Sequence, residues 1–289
     1  MDCELWHMVT RTVVRVNRQL PRMGRRPRYG DVLIVRMMLW TVWHDRPLSW
    51  GCDCRHYGPL FRPRQLPSIS QFCRRLRTTR VRQMVEQIHD QLSHSDSPAA
   101  VSFFDGKPMV VGRGSRDRDA KKGYADGSFR RGYRLHAWAT EDGRIPRFAL
   151  TSMNVGEPST ARELTDRIEA GTLVLADANY DSAPLYRAVD ARGAQLLTPL
   201  KGRSHAPQQQ SRMGPARRRA IQWWEKCPAH CRTLLAQRDQ IERIFAALTN
   251  FGGGLSPLPS WVRRERRVWR WVAAKLIIYH ARLRLRQVA

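Results

Sequence analysis

Thr172-Leu173-Val174-Leu175-Ala176-Asp177-Ala178-Asn179-Tyr180-Asp181 is a short apolar, partly β-branched run that stops at an acid and gives way to polar turn residues. The pattern predicts a buried strand carrying a carboxylate at its C-terminal end, the edge at which α/β sheets place their chemistry. Ala100-Val101-Ser102-Phe103-Phe104-Asp105-Gly106 repeats the arrangement and delivers Asp105 into a glycine turn. A third acid, Glu242, lies in Gln237-Arg238-Asp239-Gln240-Ile241-Glu242-Arg243-Ile244-Phe245, where apolar residues at 241, 244, 245 and 248 follow helical spacing. Two strands and a helix thus offer three carboxylates that can converge on divalent metal.

Outward from these stretches the pattern is that of a mixed sheet. Tyr133 to Thr140 alternates and meets Ile145 to Thr151 across Glu141-Asp142-Gly143-Arg144, a β-hairpin signal. Glu157 to Ile168 reads as helix, Ala183 to Arg192 as another, and Ala194 to Pro199 as a strand. Strand, hairpin, helix, strand, helix, strand is the order of an α/β sheet flanked by helices. Between Lys107 and Arg131 the chain is rich in charge and glycine, reads as a loop or an extended hairpin, and can track a phosphate backbone through Lys107, Lys121 and Lys122. Residues 201–224 read as a mobile basic insertion whose end Trp223 and Trp224 anchor. Trp261 to Leu285 supplies a last helix.

Upstream of the Asp105 strand the chain is helical. Leu5 to Leu20 has apolar residues at 5, 6, 9, 13, 16 and 20 and stops at Pro21, and Asp31 to Trp43 reads as a core helix. Ser68 is placed to cap a helix whose Ile69, Phe72 and Leu76 form one face while Arg74 and Arg75 lie opposite. A helical bundle ending in such a helix fits a helix-turn-helix DNA reader; a solvated amphipathic helix fits the same residues. Ser93-His94-Ser95-Asp96-Ser97-Pro98 is the clearest linker, so the expected domains are 1–98, helical and DNA-binding, and 99–289, catalytic.

Composition narrows the partner. The 289 residues carry a formal charge of +26, which a polyanion would neutralise. Only six of the 51 basic residues are lysine, and arginine's planar fork suits phosphate and guanine edges. Lysine-rich, tryptophan-poor structural proteins of chromatin or ribosome are a poor match for a chain with ten tryptophans. Val32 to Trp43 is too short to span a bilayer and contains Arg36. No signal peptide is recognisable, so a soluble intracellular protein is expected. Cys52-Asp53-Cys54 and Cys227-Pro228-Ala229-His230-Cys231 lack the CxxC spacing of a zinc site, which favours free thiols.

Magnesium takes hard oxygen ligands and is held by a few carboxylates, with water and phosphate completing its shell. Two Mg²⁺ ions, or Mn²⁺ in their place, held by Asp105, Asp177 and Glu242 would suit in-line displacement at a phosphodiester. Each acid also has a structural reading. Asp105 can start a turn and Asp177 can cap the helix near Ser182. Glu242 can pair with Arg238, while Asp181, Glu225 and Glu265 are rivals for the same roles.

Three blocks carry a resemblance: Phe103-Phe104-Asp105-Gly106-Lys107, Leu175-Ala176-Asp177-Ala178-Asn179-Tyr180-Asp181-Ser182, and the stretch from Arg238 through Glu242 to Phe251-Gly252-Gly253 and Trp261-Val262-Arg263. In order and content they resemble a bacterial insertion-sequence DDE transposase with a ribonuclease-H-like core, from about residue 100 to the C-terminus. The resemblance implies that Asp105, Asp177 and Glu242 are the catalytic metal ligands and that Arg238 helps hold the element-end DNA. It also implies cleavage and strand transfer on double-stranded DNA, a homodimer on DNA, and a cytoplasmic, nucleoid-associated protein. The family's usual tyrosine and lysine are here Leu235 and Thr249, so Arg243 or nearby C-terminal arginines would have to supply the terminal-phosphate contact. A metal-dependent nuclease on the same fold and a non-catalytic DNA-binding protein are the competing readings.

Overall fold

The computed structural model of the protein describes residues 3–21, 24, 27–201, 213–249 and 255–288. Most of the expected basic insertion, the glycine stop after the Glu242 helix and Phe251-Gly252-Gly253 of the third block lie outside the described residues. The chain packs as two compact units, one of Met1–His94, Leu248–Leu255 and Pro259–Ala289, the other of Ser95–Ala247 and Ser256–Leu258.

The first unit is helical. It contains α1 (Cys3–Gln19), α2 (Asp31–Trp43), α3 (Ile69–Arg75), α4 (Thr79–Ser93) and the long C-terminal α10 (Glu265–Val288). The linker at 93–98 predicts that this last helix belongs with the catalytic domain, yet it packs on α1, α2 and α4. Its residues 271–278 are buried without a break, so it has no solvent face along that stretch and takes the centre of the bundle. Trp6 of α1, Trp40 of α2 and Phe61 form an aromatic cluster, with ring centroids 5.2 to 5.9 Å apart. Arginines tie helix ends together. Arg284 of α10 donates to the carbonyls of Gln91, Leu92 and His94 at the C-terminus of α4, and Arg80 donates to those of Asn17, Leu20 and Pro21 at the end of α1. These are the orphan acceptors every helix leaves, met by cations at the negative end of the dipole.

Ser68 caps α3 as expected, accepting from the Gln71 amide while the Gln71 side chain accepts from the Ser68 amide. Two details differ from expectation. Ile69, assigned to the buried face, is 50% exposed because the helix only begins there. Arg75, assigned to the solvent face, pairs with Asp31 at the start of α2, an acid it shares with Arg80.

The second unit is built on one six-stranded sheet: β1 (Val101–Val110), β2 (Lys121–Ala125), β3 (Ser128–Thr140), β4 (Arg147–Ser152), β5 (Leu173–Leu175) and β6 (Gln195–Leu197). β3 is antiparallel to β1 on one side, and on its other side pairs first with β2 and then with β4. β5 and β6 run parallel to β1, joined by a crossover through α6 (Ala183–Asp190). The order β4-β3-β1-β5-β6, antiparallel and then parallel, is the ribonuclease-H-like sheet that the resemblance implied. Of the segment 107–131, the first residues complete β1, 111–120 are irregular, and the rest is the extended hairpin, β2 with the first residues of β3. Asp126 and Gly127 take up the positive φ values (51° and 76°) of the two-residue turn at its tip.

Helices cover the sheet. Phe104, Trp138, Val174 and Leu196 share one core with Leu164, which follows α5 (Glu157–Glu163), with Leu185, Tyr186 and Val189 of α6, and with Ala216 and Ala220 of α7 (Pro215–Lys226). The described end of the basic insertion is thus helix rather than loop, and Trp224 does anchor it, Nε1 donating to the Thr198 carbonyl at 2.8 Å. After α8 (Pro228–Ala236), α9 (Asp239–Thr249) buries Ile241, Ile244, Phe245 and Leu248, the spacing read from the sequence.

Candidate active site

β1 pairs with β5 only as far as Phe103 opposite Leu175. Continuing that parallel register two residues brings Asp105 beside Asp177, past the last β1–β5 pair; β1 itself runs on to Val110, with Asp105 and Gly106 still paired to β3, so the expected glycine turn after Asp105 is strand instead. Strand alternation turns Asp105 to the face opposite Phe104 and its helical core. On that face Lys107, two residues on, sets its Nζ 5.9 Å from the centre of the Phe245 ring, which lays α9 against β1. Glu242 and Arg238 come with that helix.

The electrostatics report the convergence. Burial pushes the Asp105 carboxyl up; the Gly106 amide, donating at 2.7 Å, and Arg238 pull it down, and the charges of Asp177 and Glu242 raise it again. The four charged groups therefore share one neighbourhood. Asp177 accepts from the Asn179 amide at 2.7 Å, so it caps the single turn 178–180 and not the helix after Ser182. Arg238 is not spent on Glu242; its Nε is buried with no hydrogen-bond partner.

The rivals are occupied elsewhere. Asp181 is fully buried against Arg217, at 2.7 and 2.8 Å, and also accepts from the Lys201 amide. Glu225 stands exposed on α7, and Glu265 opens α10 in the helical unit. One acid escaped the sequence reading. Glu157, at the start of α5, is mostly buried and pairs with Arg134 at 2.8 Å. Burial raises its pKa, Arg134 opposes this, and the charges of Asp177 and Asp105 add to the rise. Its Oε1 would lie 3.0 Å from a Cβ built on Gly106, as would the Arg134 side chain, so the residue after Asp105 is closely packed against this ion pair. The signal was present: an acid just after Gly156, at a helix start directly following a strand.

Among the described residues no group of three or more acids, histidines or cysteines is drawn into a metal-holding arrangement. The donor set nevertheless suits a hard dication. It is oxygen throughout, its negative charges oppose one another, and a buried hydroxyl, Tyr180 Oη, has no hydrogen-bond partner beside Asp105, Asp177 and Glu157. Of the expected DNA contacts, Lys107 is half-buried at the site, Arg243 is exposed next to Glu242, and Lys121 and Lys122 are exposed on β2. Arg74 is exposed on α3 in the other unit.

None of the helices is long and apolar enough to cross a membrane, among the described residues. No curated protein matches the chain. Among solved structures, a piggyBac transposase in a synaptic complex with hairpin DNA aligns at 10% identity and TM-score 0.48, over 97% of this chain and 72% of that one. The family model of the transposase DDE domain matches residues 96–277, and the chain belongs to that family.

Proposed function

We propose that the protein cleaves DNA at the ends of its own mobile element and joins the 3′ ends to target DNA, with Asp105, Asp177 and Glu242 as the catalytic carboxylates. The observation that carries this reading is the shared electrostatic neighbourhood of these three acids and Arg238 at the open edge of β1 and β5. Mg²⁺ bound by the three carboxylates would neutralise their mutual repulsion and activate the attacking hydroxyl for in-line displacement. Arg238, with its unpartnered Nε, would hold a non-bridging phosphate oxygen of the scissile group. Lys107, fixed over the Phe245 ring, would hold a flanking phosphate, and Tyr180 would orient a carboxylate through its spare hydroxyl. Burial by the α5–α6 core keeps bulk water from the Tyr180 side. Double-stranded DNA is then the partner, the helical unit binds the element ends, and two chains act together because two ends must be joined.

The test is cleavage and joining of a labelled fragment carrying the DNA that flanks this gene, in Mg²⁺, with Asp177→Asn alongside wild type. Nicks followed by joined product, lost by at least about a hundredfold in the variant while DNA binding persists, are expected. Hydrolysis without joining would make it a nuclease, and equal activity in the variant would remove the triad.

A further inference from the structure

The β2–β3 hairpin carries an aromatic pair that core packing does not explain. Tyr124 and Phe129 lie directly opposite each other in the ladder, their rings 5.8 Å apart and nearly perpendicular, yet they are 61% and 77% exposed. These are the two most exposed large apolar side chains among the described residues. Around them Lys121, Lys122 and Arg130 are exposed, against the lone acid Asp126 in the turn. A two-stranded basic ribbon with bare rings at its end has the chemistry of a nucleic-acid wedge: cations hold phosphates, and rings stack on bases that leave the helix.

Its position gives the pair a task. Arg134 donates one Nη to the Tyr124 carbonyl at 3.0 Å and the other to Glu157 at 2.8 Å, joining the tip to the acid that stands beside Asp105 and Asp177. Lys107 feels the charges of both Asp126 in the turn and Asp105 in β1. The tip therefore belongs to the same edge as the carboxylates. Resting on the transposase reading above, the geometry points to Tyr124 and Phe129 as a wedge that stacks on unpaired bases flanking the scissile phosphodiester, with Lys121, Lys122 and Arg130 on the adjoining phosphates. The ring pair opens the duplex so that the backbone can bend into the carboxylate edge, and the cost of unstacking is met by the rings.

The experiment uses full-length protein and the labelled flanking fragment, with Ca²⁺ in place of Mg²⁺ for the structural readout. Permanganate, which oxidises unstacked thymines, should mark positions next to the later cut in the wild-type complex. Tyr124→Thr with Phe129→Thr, a pair that keeps strand propensity, should bind within about threefold of wild type, lose the permanganate signal and cleave about tenfold or more slowly. A fragment mismatched at those positions should restore cleavage by the variant. Unchanged permanganate reactivity and rate in the variant, slow cleavage that the mismatch does not rescue, or loss of a wild-type dimer formed without DNA would each overturn the wedge. Wild-type protein that neither binds nor cuts the fragment would instead overturn the transposase reading beneath it.

Discussion

Asp177 and Asp181 sit four residues apart in one motif, and the apolar run that ends at Asp177 favours it with Asp181 as its rival. Their surroundings separate them: Asp181 is consumed by Arg217 and a backbone amide, while Asp177 keeps company with Asp105 and Glu242. A paired, fully buried carboxylate is a structural acid, and a cluster of like charges held without full compensation is the kind that serves chemistry. Lys275 shows the opposite case in the helical unit. It is buried in the centre of α10 with its Nζ over the Trp271 ring and 3.9 Å from Asp45. Burial lowers its pKa to about 8, with Asp45 only partly opposing. The unfolded lysine holds its proton up to its ordinary value of 10.5, so between about 8 and 10.5 the unfolded state binds more protons and stability rises with pH; below about 8 the full cost is present. Lys275→Met should therefore stabilise the protein at pH 7 by on the order of 3 kcal/mol, or less where Asp45 loses its partner. Melting followed from pH 7 to 10 should show the gain shrinking, and a constant difference would reject the burial argument.

At the scale of elements, β3 is the organising strand. Its 13 residues pair with β1 on one side and with two successive strands on the other, so one element carries both the sheet core and the hairpin. The join falls at Gly132, where a Cβ would overlap the Met109 carbonyl and press on the Met153 side chain. Backbone cannot yield as a flexible side chain can, so Gly132→Ala should cost about 2 kcal/mol or more. Chemical denaturation would measure it, and a neutral result would mean the strands can part without loss. The hairpin was legible only as an alternative to a loop. Its strand residues are mainly Lys, Arg and Gly, whose propensities argue against a sheet, and the ladder with β3 outweighs them. In α3 the apolar face expected at Ile69, Phe72 and Leu76 is buried at Phe72 and Leu76, while Ile69, at the start of the short helix, is exposed.

For the whole molecule the charge of +26 is divided between two uses. Arg75, Arg80 and Arg284 face inward to an acid or to helix-end carbonyls, whereas Arg74, Arg243, Lys121 and Lys122 remain exposed. Counting basic residues therefore overstates the charge available to DNA. Replacing Arg74 by alanine should weaken binding and flatten the logarithmic salt dependence by about one ion, with melting unchanged. Arg75→Ala should leave the salt slope alone and lower stability by about 1–2 kcal/mol, since Asp31 keeps Arg80. Binding isotherms at several salt concentrations, with melting curves for both variants, check the pair, and equal effects on binding would return Arg75 to the DNA-facing set.

Local sequence determined the helices of the bundle, the Ser68 cap, the strand that carries Asp105 and the strand that stops before Asp177, and the periodic face of the Glu242 helix. In each, apolar spacing and turn chemistry act within a few residues. Tertiary structure alone decided which acids share a neighbourhood, that Glu157 joins them, that α10 fills the helical unit, and which arginines are spent indoors. Those outcomes depend on strand register, on crossovers and on burial, which bring together residues more than a hundred positions apart, and no local pattern encodes the distance between them.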